Sequence, residues 1–361
     1  IHWGYYDARV KPVLRIASGD RVNVETMIAG GLTRLRMLKV PDSDIPKQLL
    51  AVESAISDRG PGAHPMTGPI FVEGAEPGDA IEVRILSIGF LHDYGINAFA
   101  PGGGTIPDDF PYAGLKLFRW AHGAKTVEFG PGITLPLAPF FGSIGVAPPP
   151  LAGKLSSRAP GWHGGNFDNK DLVAGSTLFL PVHVPGALLS IGDGHAMQGD
   201  GEVTGTALET SLTGQIEVRV HKGRRLKWPR AETPTHYISM GLHEDLDEAA
   251  KLVEVGLLVL AVMKLQSLRA HVRRERIVIE RHRREFDAHD RWIRSDREVG
   301  LPDKRAAGVR VPRRGNAVAG RGNRWPPRAF CVATCDSFLR FPSPPEHRVA
   351  GSSEVPRPNT S

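Results

Sequence analysis

Apolar and polar residues alternate with a period of two along Val22-Asn23-Val24-Glu25-Thr26, Ile81-Glu82-Val83-Arg84-Ile85 and Ile216-Glu217-Val218-Arg219-Val220. Successive side chains of an extended chain point to opposite faces, so each stretch predicts a strand with one face buried. Turn sequences precede the first two, Ser18-Gly19-Asp20 and Pro77-Gly78-Asp79, and the last two strands share the string Ile-Glu-Val-Arg. That repeat has two readings: a duplicated β unit, or amphipathic strands converging on the same letters. Helical periodicity is scarce. The one body helix it predicts starts near His243 and runs to Leu252, with acidic residues in the first turn, at the positive end of the helix dipole. Between 101 and 165, Pro101-Gly102-Gly103-Gly104, Pro148-Pro149-Pro150 and Gly161-Trp162-His163-Gly164-Gly165 predict turns and long loops. Phe140, Phe141, Ile144 and Val146 among them predict that these loops pack on a core. The pattern predicts a mainly β, β-sandwich-like fold with long Gly/Pro-rich loops and few helices, in one or two β subdomains.

Composition supports that picture and alters one part of it. Glycine (41) and proline (30) make about a fifth of the 361 residues, which favours turn-rich β structure. A 41% hydrophobic fraction suffices for a core, and the absence of any apolar run of about 18 residues excludes a membrane-spanning helix. Ile1–Asp7 shows neither an initiator Met nor a signal-peptide layout, so truncation at the start and a cytoplasmic location are the expectations. The net charge of +6 is unevenly placed. Residues 264–361 hold 22 basic and 11 acidic side chains, residues 1–263 hold 23 and 28, and both cysteines, Cys331 and Cys335, lie in the later stretch. The body is acidic and cysteine-free, which excludes a disulfide framework there and a four-Cys zinc site anywhere. The basic tail alone suggests nucleic acid, but it has neither interleaved aromatics nor a recognition motif, so no nucleic-acid partner is expected.

Ligand and acid–base side chains concentrate in two glycine-flanked segments. These are Gly164-Gly165-Asn166-Phe167-Asp168 and Gly192-Asp193-Gly194-His195-Ala196-Met197-Gln198-Gly199-Asp200-Gly201-Glu202. Asp and His ligate hard or borderline divalent metals, and glycines let a loop turn them toward one point. Asp, Asn and Gly also simply build turns, so each segment alone is open to that plainer reading. Lys154-Leu155-Ser156-Ser157 as a Ser/Lys nucleophile is a chance-level pattern, and Gly102–Gly104 has no following GK[ST] to bind phosphate.

These motifs, with His64-Pro65-Met66-Thr67-Gly68-Pro69-Ile70 and Val72-Glu73-Gly74-Ala75-Glu76-Pro77-Gly78-Asp79, resemble the acetamidase/formamidase family from the first residues to about Lys251. The resemblance implies a mainly β enzyme that hydrolyses a small-molecule amide to ammonia and a carboxylate. It also implies a homo-oligomer with a bound divalent metal, zinc being expected and calcium the alternative. A cysteine-free body excludes a cysteine nucleophile, leaving metal-activated water. The roles expected on this basis are metal ligation by Asp168, Asp193 and His195, catalysis by Glu202 and Glu73, and substrate binding by Asn166, Gln198 and His64. Two alternatives stand beside it: a non-catalytic metal-binding β module, and a family member inactive through loss of its usual C-terminus.

Beyond about residue 253 the resemblance stops. Arg contributes 20 of the last 98 residues, and the sequence from 301 onward lacks periodicity. The division expected is a body at 1–253 and an Arg-rich, non-native or disordered tail at 254–361. Two origins fit the tail, a shifted reading frame or a lineage-specific basic extension.

Overall fold

A computed structural model describes residues 1–243, Asp245 and 247–256. The Arg-rich tail from 257 onward, and the readings attached to it, lie outside the described residues. Two antiparallel-dominated sheets carry the described body. The six-stranded sheet runs Tyr237–Ser239, Arg230–Glu232, Thr177–Pro181, Ala80–Phe90, Leu212–His221 and Arg21–Glu25, each hydrogen-bonded to the next. The nine-stranded sheet is built around Leu189–His195, which pairs with Pro65–Val72, Phe140–Gly145 and Glu209–Thr210. Ile81, Val83, Ile85, Leu178, Ile216 and Val218 of the first sheet join Ile70, Val72, Ile144, Leu189 and Ile191 of the second in one buried cluster. The expected β-sandwich is therefore observed, with apolar inner faces meeting as the period-two pattern requires.

The Ile-Glu-Val-Arg repeat has a local explanation. The two copies are neighbours in the same sheet and antiparallel, with Ile216 opposite Ile85, Glu217 opposite Arg84, Val218 opposite Val83 and Arg219 opposite Glu82. Read in opposite directions, the string is its own complement: each Glu faces an Arg and the valines meet inside. Arg219 Nε donates to Glu217 at 2.6 Å, and the Arg84 and Glu217 side chains approach to 3.7 Å across the strands. Opposite charges directly across a strand pair stabilise it by roughly 0.2–1 kcal/mol.

Asp79, in the turn before Ala80–Phe90, ties the ends of two strands together. Its carboxylate accepts from the amides of Glu76 (2.9 Å) and Gly223 (2.8 Å) and from the Lys222 ammonium. Burial raises this group's pKa, but Lys222 and the two amides outweigh burial and leave it below the ordinary carboxylate value.

Two features differ from the sequence expectation. Short helices form at Gly31–Met37 and Lys47–Ala55, beside the predicted one, which forms at 247–256. Asp245 Oδ1 caps that last helix by accepting from the Asp247 and Glu248 amides at 2.9 and 3.1 Å. The two unexpected helices are seven and nine residues long and pack Leu35 and Leu49 with Tyr94 and Ile96 in a separate small core. Elements this short depend on tertiary packing and leave little periodic signal. The Gly/Pro-rich centre also contains strands: Gly114–Arg119 and Phe140–Gly145 pair with strands outside the segment, Gly164–Asn166 pairs with Phe140–Gly145, and this long-range pairing overrides local preference.

Candidate active site

The site forms where the edge of Leu189–His195 changes partner. Gly192 is opposite Met66, whereas Gly194 and His195 are opposite Thr210 and Glu209. Asp193 stands at the change with φ +57°, in the left-handed region that a branched or bulky residue avoids. On the other edge, Phe141 and Ser143 are opposite Gly194 and Gly192, so Gly142 faces Asp193. The Gly142 carbonyl accepts from the amides of Phe167 (2.9 Å) and Asp168 (3.1 Å), which draws the Asp168 loop onto the same spot. Asp168 and Glu202 also have positive φ, at +46° and +43°. Three of the six described non-glycine residues with positive φ are thus carboxylates of this cluster, and such strain persists where the surroundings over-determine it.

The side chains converge closely. His195 Nε2 lies 3.4 Å from Asp193 Oδ2, 3.5 Å from Glu209 Oε2 and 4.0 Å from Asp168 Oδ1, and its ring is 1% exposed. His64 Nε2 lies 3.7 Å from Asp193 Oδ1. The ligand atoms of Asp168, Asp193 and His195 fall within 4.8 Å of one another, as do those of His195, Glu202 and Glu209. Asn166 Nδ2 donates to Asp168 Oδ2 at 2.7 Å, and Gln198 Nε2 donates to the Asp168 carbonyl at 2.6 Å. His64 Nδ1 is 3.0 Å from both the carbonyl and the hydroxyl of Ser157. A carbonyl only accepts, so Nδ1 carries a proton there, and Nε2 faces the cluster.

Seven of the residues expected from sequence therefore meet: His64, Asn166, Asp168, Asp193, His195, Gln198 and Glu202. Glu73 does not join them. It is exposed and follows the far end of Pro65–Val72, whereas His64 precedes the near end. The eight residues of Pro65–Val72 lie between them, which puts the two roughly 25–30 Å apart. The residue that sequence reasoning missed is Glu209, 3% exposed and paired across the strands with His195. Its only sequence signal is a carboxylate among apolar and small neighbours, Ala207-Leu208-Glu209-Thr210-Ser211.

Crowding sets the electrostatics. Burial, with the Glu202 and Asp193 carboxylates, raises the Asp168 pKa well above the ordinary value. Burial also raises Glu202, and it pushes Glu209 up to about 8. Asp193 would be raised by burial too, but the His64 and His195 rings outweigh that and hold it low. Burial lowers the His195 pKa, yet Glu209 and Asp193 more than reverse this and hold the ring's pKa well above its usual range. Four buried carboxylates around one imidazole cannot all stay ionised without a further cation, and in its absence they take up protons instead. Asp168 Oδ1, Asp193 Oδ1, Glu209 Oε2 and both His195 nitrogens are buried without a hydrogen-bond partner. Gly142 leaves the space they surround open: a Cβ there would lie 2.8 Å from Asp168 Oδ1 and Asp193 Oδ2 and 2.9 Å from His195 Cε1. Unpaired imidazole and carboxylate donors around a gap kept clear by glycine fit a divalent cation.

The match to known proteins runs through these segments. The model of the acetamidase/formamidase family matches residues 9–159 and 151–237. Among relatives, the formamidase of Methylophilus methylotrophus is 34% identical over 210 residues, covering 44% of this chain and 51% of that protein. The acetamidase of Mycolicibacterium smegmatis is 33% identical over 199 residues, covering 39% and 49% respectively. The chain thus spans about half the length of the curated relatives it matches. The crystal structure of an acetamidase from Bacillus halodurans superposes with a TM-score of 0.58 at 33% identity, covering 70% of this chain and 79% of that one. Its sandwich, its cluster segments and most of its described length match that family, and the chain belongs to the acetamidase/formamidase family.

Proposed function

We propose that this protein hydrolyses short linear amides to ammonia and the carboxylate, using water activated at a divalent metal held by Asp168, Asp193 and His195. The observation that carries the reading is the buried set of unpaired carboxylate and imidazole donors around the Gly142 gap. The names of the relatives, formamidase and acetamidase, support the substrate class. One imidazole with several carboxylates suits zinc, and calcium is the alternative because most of the donors are oxygens. When bound, the metal lowers the pKa of water toward 7 and polarises the amide carbonyl.

The side chains divide the remaining work. Glu202, its pKa raised by burial, takes a proton from the attacking water and returns it to the departing nitrogen, as a base whose pKa approaches the working pH does best. Asn166 and Gln198 have committed their NH2 groups to Asp168, and their carbonyl oxygens are buried and unpaired. Those oxygens accept from the substrate NH2 group, and an ester of the same shape offers them no such donor. His64, with Nε2 turned inward by Ser157, adds a lone pair on the Asp193 side, which suits ligation or proton acceptance better than holding an amide. Glu209 supplies a further carboxylate beside His195.

Ammonia release from formamide, acetamide and propionamide by the purified full chain is the test. Turnover that stops on chelation is expected; a protein that binds metal and releases no ammonia is instead a binding module.

Among the described residues no helix is long and apolar enough to cross a membrane. We propose a homo-oligomer, as the family resemblance implies, and a cytoplasmic location.

A further inference from the structure

Between His195 and Glu209 the chain leaves the sheet, passes through Gln198 and the turn Asp200–Glu202, and returns. This excursion carries Glu202. Its returning leg bonds back to the strand it left, through the Ala196 amide to the Leu208 carbonyl at 2.7 Å and the Leu208 amide to the Met197 carbonyl at 3.0 Å, but its other edge has little backbone pairing. Glu209–Thr210 meets the Tyr94–Phe99 strand through a single pair, Glu209 opposite Ile96. On that edge side chains do the rest. Asn97 Nδ2 donates to the Ala207 carbonyl at 2.9 Å and the Thr206 carbonyl at 3.0 Å, with the Thr206 and Thr204 hydroxyls at 3.1 and 3.4 Å. Thr206 Oγ1 in turn donates to the Ala98 carbonyl at 2.6 Å and accepts from the Ala98 amide at 3.0 Å, so one hydroxyl stands in for a strand partner.

We propose that Asn97, with Thr206, is the positioning residue that holds both site glutamates in place. Two short paths connect it to them. The Ala207 amide, beside the carbonyl that Asn97 grips, donates to Glu209 Oε1 at 3.1 Å. On the other side, the Gly205 amide donates to the Glu202 carbonyl at 2.7 Å, and the Thr105 amide to the Val203 carbonyl at 2.9 Å, closing the turn that sets the φ of +43° at Glu202. Asn97 itself faces backbone carbonyls and hydroxyls, none of them belonging to a group that binds substrate, so its effect reaches the chemistry only through this segment. The inference rests on the amidase reading above for its catalytic consequence, though not for its structural one.

The test pairs two readouts on the full chain, steady-state ammonia release from acetamide and hydrogen exchange of the peptide spanning 199–208. Asn97→Leu keeps the number and branching of the side-chain heavy atoms and removes both donors. The expected result is exchange in 199–208 faster by roughly tenfold or more, and kcat lower by roughly ten- to hundredfold with KM within about threefold. Thr206→Val shares the loss, whereas Thr206→Ser, which keeps the hydroxyl, restores most of it. Unchanged exchange in Asn97→Leu overturns the proposal, and so does a Thr206→Ser variant as impaired as Thr206→Val. Should Asn97→Leu fail to fold, the Thr206 pair decides alone. A wild-type chain that releases no ammonia refutes the amidase reading, and the exchange arm still decides whether Asn97 holds the segment.

Discussion

Replacing Gly142 by alanine adds one methyl group at the point where the candidate centre closes. The new Cβ would stand 2.8 Å from Asp168 Oδ1 and from Asp193 Oδ2 and 2.9 Å from His195 Cε1, where ordinary contacts begin at 3.4 Å. Each neighbour must therefore retreat by about 0.5–0.6 Å, and neither carboxylate moves freely, because both sit on residues with positive φ. Metal sites tolerate ligand shifts of about 0.2 Å, so a displacement two to three times larger predicts a loss of metal affinity of at least about a hundredfold. Overpacking of this size costs about 1–3 kcal/mol, which lowers Tm by roughly 2–12 °C in a body of this length. Gly142 itself is not in the left-handed region, so alanine adds no backbone penalty. The variant should fold, lose its metal on dialysis and release no measurable ammonia, as read by metal analysis, calorimetry and an ammonia assay on one sample. Wild-type metal content and wild-type turnover in Gly142→Ala would refute the reasoning, since the metal would then bind somewhere other than the gap the new methyl group fills.

Other outcomes follow from the same geometry. Glu209 has a folded pKa of about 8, raised chiefly by burial, so the metal-free protein binds a proton there that the unfolded chain releases near pH 4.5. Its stability should fall by a few kcal/mol as pH rises from about 4.5 to 8. Glu209→Gln should flatten that slope in denaturant titrations while lowering metal affinity about 10–100-fold; a slope that survives the substitution argues against the assignment. Asp79 has the opposite sign. Its depressed pKa contributes stability above about pH 4 that is lost as pH falls through the folded value, so Asp79→Asn should cost about 1–3 kcal/mol at pH 7 and weaken the acid limb. An unchanged midpoint at pH 7 would contradict the clamp to Lys222 and Gly223. Glu73→Ala, altering an exposed turn far from His195, should leave ammonia release within about twofold of wild type, and a hundredfold loss would restore Glu73 to the site.

Much of the site was legible because its residues sit in glycine-bracketed strings. Asp168, Asp193, His195, Gln198 and Glu202 stand out there, since the backbone at those points must turn or take positive φ, and glycine neighbours record that need. Glu209 left no such mark. It belongs to a two-residue strand whose role appears only when His195 lies opposite it, a long-range fact that local spacing does not encode. Glu73 stands apart from the cluster for the converse reason: it shares a motif with Asp79, and in the structure that motif builds a turn and a strand clamp. The sandwich followed from the period-two stretches, and the Ile-Glu-Val-Arg repeat became intelligible only as a self-complementary pair. The helices Gly31–Met37 and Lys47–Ala55 are too short, and too dependent on Tyr94 and Ile96, to be visible in one sequence.

The most direct measurement is a titration of the metal-stripped full chain with Zn²⁺, following bound metal and ammonia release from acetamide together. Turnover rising in proportion to metal bound, and absent from Asp193→Asn and His195→Ala at the same added zinc, is the predicted result. Ammonia release that is independent of metal content, or undiminished in both variants, would contradict the assignment of this cluster as a hydrolytic metal centre.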